Sequence, residues 1–278
     1  MDSLSLLIQE HSFAASLPDV FVHLLALALI GTAIILLNRT ANATKSSRFL
    51  RHIAFAFGVV FFFRLGMIIV ALSKSLLAMQ YAAQGLPVAP ADRAIEAKNA
   101  LDGIDSMWNA ISMILSYLST FWLLLAWWLL RQYPQEGIPR GLYATAIGVL
   151  TLLVGLAAGI VRSAQANSFR ILNLVDVLSS AGVIVLVGWQ LMKLTPKRGH
   201  PALSGVVFVL YSLWGLMQIP ILLFKIRTDS TYYMVLMFSG FAAMLSTVMH
   251  TSIVLEDKEE YKSSSGHRSR TDRSTKGT

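Results

Sequence analysis

No cysteine occurs anywhere in the 278 residues, so disulfides, thiolate metal centres and cysteine nucleophiles are excluded at the outset. Charge is the next shortage. Aspartate, glutamate, lysine and arginine make up 14% of the chain, where a soluble domain carries about a quarter. So few charges cannot cover a water-facing surface, and 55% hydrophobic residues with a mean hydropathy of +0.61 point to an integral membrane protein. Residues 1–17, "MDSLSLLIQEHSFAASL", also lack the basic start of a secretory signal, their formal charges being Asp2 and Glu10. They are expected to be retained as an extracytoplasmic segment.

What is present is long apolar runs. A helix needs roughly 20 mostly apolar residues to cross a bilayer, and seven stretches meet this, at 18–38, 53–73, 105–130, 142–161, 172–193, 203–224 and 231–254. They predict an all-α integral membrane bundle of seven transmembrane helices over 18–254. The connections are short except for 74–104, where "QGLPVAPADRAIEAKNALDGID" mixes proline, glycine and charge and reads as a loop with a turn or two of surface helix. Residues 255–278 are too polar to bury a core and are expected to form a disordered tail.

A net charge of +8 would suggest nucleic acid in a soluble chain. Here the basic residues cluster beside the apolar runs, as the excess of lysine and arginine in cytoplasmic loops requires, so no nucleic acid partner is expected. Of the 23 lysines and arginines, fifteen fall in the first, third and fifth loops and the tail. Seven fall in the even loops, and the last is Arg64. This bias places the N-terminus outside and the C-terminus in the cytoplasm, in a plasma membrane or a bacterial inner membrane. The sequons "NRT" at Asn38 and "NAT" at Asn42 oppose it, but both sit at the membrane edge among basic residues and are read as chance matches.

Polar and small residues recur at helical spacing within several spans, which gathers them on one face. The third span carries Asp105, Asn109, Ser112, Ser116 and Ser119, and the sixth carries Ser204, Phe208, Tyr211, Gly215 and Gln218. The seventh carries Ser239, Ala243, Ser246 and His250. Such stripes face a bundle interior, where small and hydroxylated residues let helices approach. The fourth span, with Gly148, Gly155 and Gly159, reads as a packing helix.

Arg64 stands near the middle of the second span, in "FAFGVVFFFRLGMIIVALS". A charge at the centre of a spanning helix costs at least about 2.5–3.5 kcal/mol, and such residues mark pathways and ligand sites. The acids within reach in the outer half are Asp105 and Asp176, with Asp19, His23 and Gln218 as further polar neighbours. The expectation is that Arg64 pairs with Asp176 or Asp105 in a polar cluster. The candidate ligand- or ion-binding set is therefore Arg64, Asp105, Asn109, Asp176, Tyr211, Gln218 and His23.

No cofactor or metal is expected. His52 and His250 on separate helices are too little to define a haem site, and a retinal Schiff base needs a buried lysine that the seventh span lacks. No acid–base pair marks an enzyme. The functional expectation is a sensor or receptor-like module, with a small-molecule ligand entering from outside and a cytoplasmic protein partner contacting the loops. An ion-coupled or small-molecule transporter, or a non-catalytic subunit of a membrane complex, are the alternatives. The lipid bilayer is the surrounding partner in each.

Overall fold

A computed structural model of the chain describes residues 3–43, 48–83, 90–133, 138–163, 166–194, 201–220 and 235–253. Every regular element among them is an α-helix: α1 (Ser3–Glu10), α2 (Phe13–Ala43), α3 (Arg48–Ala83), α4 (Pro90–Gln132), α5 (Arg140–Ser163), α6 (Ala166–Lys193) and α7 (Pro201–Leu216), followed by α8 (Val235–Ile253). Among the described residues six spans, in α2, α3, α4, α6, α7 and α8, are long and apolar enough to cross a membrane. α5, which corresponds to the expected fourth span, is a helix of 24 residues that is not among them. The expected tail at 255–278 lies outside the described residues.

The helices outrun the apolar stretches. α4 has 43 residues and is about 64 Å long at 1.5 Å per residue, twice the hydrocarbon thickness of about 30 Å. The expected loop at 74–104 is thereby corrected, because α3 runs on to Ala83 and α4 begins at Pro90. The cause is local. No glycine or proline interrupts 74–83, and Pro90 occupies the first helical position, where its missing N–H costs nothing. The two extensions bury Ser75, Ala78, Ala97 and Leu101, and α3 and α4 pack on one another. The N-terminal segment is helical too, and α1 lies against α3 and α4.

α4 is the hub, touching α1, α3, α5 and α6, while α2 packs on α3 and α7 on α6. The apolar core fills the half of the bundle away from α1, where Leu37, Leu50, Ile53, Phe57, Leu129 and Leu191 are almost fully buried. Large residues such as Phe21, Ile35, Phe55, Phe62 and Ile69 point outward, as a lipid-facing surface requires. Asn38 and Asn42 lie inside α2, and Arg51 donates to Asn42 Oδ1 over 3.4 Å.

Of the three glycines in the expected fourth span, Gly155 and Gly159 lie outside the described side chains. A Cβ on Gly148 would meet nothing within 4 Å. Gly188 of α6 instead lies against Tyr211, and Gly215 of α7 lies against the Ala181 carbonyl, so α6 and α7 each supply one glycine to a shared seam. α8 joins α7 through two buried polar contacts. Ser204 Oγ is 3.0 Å from His250 Nε2, and the Tyr211 hydroxyl is 2.6 Å from Thr247 Oγ1.

Candidate functional site

Two adjoining cavities occupy the half of the bundle beneath α1. The larger has a volume of about 720 Å³. α1 and the turn after it supply Glu10 and His11, and α2 supplies Asp19 and His23 one turn apart. α3 contributes Met67, Lys74 and Ser75, and α4 contributes Asp105, Trp108, Asn109 and Ser112. The inner chamber, about 250 Å³, lies deeper, between α3, α4, α6, α7 and α8. Its polar lining is Arg64, Ser112, Ser116, Ser119, Ser180 and Gln218. Phe63 and Ser112 line both.

The α4 stripe organises this arrangement. Asp105, Asn109 and Ser112 face the large cavity, and Ser112, Ser116 and Ser119 face the inner chamber. Successive turns of one helix therefore lead from one space into the other. Ser119 Oγ also donates to the Ala56 carbonyl on α3 over 3.3 Å, tying the deep end of the stripe to its neighbour.

Asp105 accepts from Lys74, with Nζ 2.6 Å from Oδ1 and 2.7 Å from Oδ2. This corrects the expected pairing of Asp105 with Arg64. Lys74 could not be seen as its partner while 74–104 was read as a loop, and the uninterrupted helical spacing after Ser73 was the available signal. Ser75 Oγ donates to Ser16 Oγ over 3.0 Å and fastens the start of α2 to α3. Trp108 Nε1 donates to Met67 Sδ over 3.0 Å. Its ring lies so close over Gly66 that a Cβ there would overlap it, which lets the indole form a flat wall of the cavity.

Arg64 is 8% exposed and lines the inner chamber. Its guanidinium carbon is 5.5 Å from the Phe63 ring centroid, and its charge bears on His23 of α2. Asp176, also 8% exposed, takes its hydrogen bond from Ser116 rather than from Arg64 and lies within electrostatic reach of Tyr117. Gln218 Oε1 accepts from Ser180 over 3.1 Å. The structure thus brings His23, Asp105 and Asn109 to the large cavity and Arg64 and Gln218 to the inner chamber, with Asp176 against its Ser116 wall. Tyr211 stands apart from both in the contact between α7 and α8. Glu10, His11 and Lys74 are cavity residues that the sequence did not single out, and Trp108, read from sequence as a membrane-edge anchor first and a stacking candidate second, is a cavity residue too.

Comparison of the chain with family models, with curated proteins and with solved structures gives no match. Fold and hydropathy define a class: the described residues are all-α and include six helices long and apolar enough to cross a membrane, the property of an integral membrane protein.

Proposed function

We propose that the chain is a seven-span sensor or receptor-like module, N-terminus outside and C-terminus cytoplasmic, whose ligand enters the large cavity from the outer side of a plasma membrane or bacterial inner membrane. α5 serves as the seventh span in this reading. The observation that supports it is the cavity of about 720 Å³ with convergent ionisable and amide groups, within the size range of small-molecule sites. The tightly packed core on the opposite side supplies a rigid base through which helix movement reaches the cytoplasmic loops and a separate protein. The inner chamber, which shares Phe63 and Ser112 with the large cavity, favours a second reading, a transporter in which the large cavity is the outer half of a path.

Because the chain has no cysteine, one introduced thiol reports cleanly on position. Asn109→Cys is expected to react with a membrane-impermeant maleimide added to intact cells, and Ser252→Cys only after permeabilisation. The reverse pattern overturns the orientation. A thermal-shift screen of small polar compounds on detergent-solubilised protein is expected to yield ligands whose effect Asn109→Trp abolishes by filling the cavity. Shifts that all survive that substitution overturn the site. Flux of such a ligand into reconstituted vesicles decides for the transporter.

A further inference from the structure

We propose that the inner chamber binds a small organic monocarboxylate, its charged end at Arg64 and its apolar body against α4, α6 and α8. This goes beyond the reading of the large cavity and does not depend on it.

Arg64 is the anchor. It is 8% exposed, lies near the middle of α3, and is the one charged residue among the described residues that line the chamber. A charge held inside a membrane-spanning bundle marks a ligand site or an ion path, and here its sign calls for an anion. A guanidinium carries five N–H donors in a planar fork, enough to take a carboxylate in two parallel bonds besides its neighbours in the bundle. Gln218 supplies a second donor. Its Oε1 already accepts from Ser180 over 3.1 Å, which leaves the amide N–H groups to donate. Asp176 is not a lining residue, and Ser116, which is, donates to its carboxylate.

The remaining lining sets the body of the ligand. The hydroxyl protons of Ser112 and Ser119 are committed to the Asn109 and Ala56 carbonyls, and the apolar wall includes Leu115, Leu123, Val177, Ile184, Leu236 and Met237. One polar end on a mainly apolar wall is the usual composition of a small-molecule site. The volume of about 250 Å³ is several times the roughly 30 Å³ that one water occupies, so a halide alone would leave most of it unfilled. A dianion would bring a second charge that no other cationic lining residue meets, and an unpaired buried charge is strongly disfavoured. The chamber therefore suits an acid of a few carbons.

The test is thermal unfolding of the purified protein in detergent at about pH 7.5, where a simple carboxylic acid is ionised, with sodium acetate, butyrate or hexanoate replacing sodium chloride at constant ionic strength. Hexanoate is expected to raise the unfolding temperature by about 3–6 °C at about ten times its dissociation constant. The midpoint is expected to fall about fourfold for each CH₂ added after acetate. Hexanamide, which has the same shape without the charge, is expected to give no rise. Arg64→Gln is expected to give a flat hexanoate response. Leu115→Trp, which fills the apolar end and leaves Arg64 in place, is expected to do the same and remains informative if the Arg64 variant does not fold. Asp176→Asn is expected to keep the response, because the acid does not hold the ligand. No difference between hexanoate and chloride for the native chain overturns the proposal. So does an equal rise with hexanamide, one midpoint shared by all three acids, a response that folded Arg64→Gln or Leu115→Trp retains, or a response that folded Asp176→Asn loses.

Discussion

Gly215→Ala probes the seam between α6 and α7. A Cβ at Gly215 would lie 2.9 Å from the Ala181 carbonyl oxygen and 3.2 and 3.3 Å from the Cγ2 atoms of Val185 and Ile184. The side chains can rotate, but a helical carbonyl cannot, so α7 must back away from α6. Overpacking of this kind costs about 1–3 kcal/mol. The displaced helix carries Gln218 away from Ser180, and weakening that 3.1 Å bond adds about 0.6 kcal/mol, the average for interhelical hydrogen bonds in a membrane. Alanine's better helix propensity returns up to about 1 kcal/mol. Gly205→Ala on the same helix isolates the clash, because a Cβ there meets nothing within 4 Å and only the propensity gain applies. The two variants are expected to differ by about 2–4 kcal/mol, with Gly215→Ala unfolding at least about 4 °C below Gly205→Ala in detergent. Equal unfolding temperatures would refute the seam.

Two further outcomes follow from individual contacts. Tyr211→Phe is expected to cost about 1 kcal/mol. Thr247 already donates to the Ala243 carbonyl over 2.8 Å, so Tyr211 is the donor in their bond, and the variant leaves Thr247 only one acceptor position short. Labelling of Asn109→Cys in the Tyr211→Phe background should proceed at the native rate, and a large change would place Tyr211 in the site after all. For the Lys74–Asp105 pair, whose side chains are 19% and 49% exposed, a double-mutant cycle with Lys74→Ala and Asp105→Ala is expected to give a coupling no larger than about 1 kcal/mol, weakened by salt. A salt-independent coupling of several kcal/mol would mean that the pair is sealed from water.

The polar face of α4 was legible because periodicity is a local property. Asp105, Asn109, Ser112, Ser116 and Ser119 share a side of any helix they form, and an intramembrane helix turns such a side toward protein or water. Hydropathy was a poorer guide to length. It marks where a chain can sit in lipid, whereas backbone hydrogen bonding continues until a breaker, which is why α3 passes Ser73 and stops only short of Gly85 and Pro87. That difference hid Lys74, Ser75 and the whole wall that α1 helps to close.

Composition and periodicity alone determined that this chain is helical and apolar, that its spans fall close to the observed helices, and which faces carry polar groups. Only the tertiary structure decided which charge meets which. Arg64 and Lys74 are ten residues apart on one helix, about 15 Å along its axis, so the register of α3 against α4 chooses Lys74 for Asp105, while Arg64 faces the inner chamber and bears on His23. The same holds for the glycines. Sequence offered Gly148, Gly155 and Gly159 as the plainest packing stripe, yet Gly148 has nothing near it while Gly188 and Gly215 are closely approached, because a missing side chain matters only where another helix comes near enough to need the space.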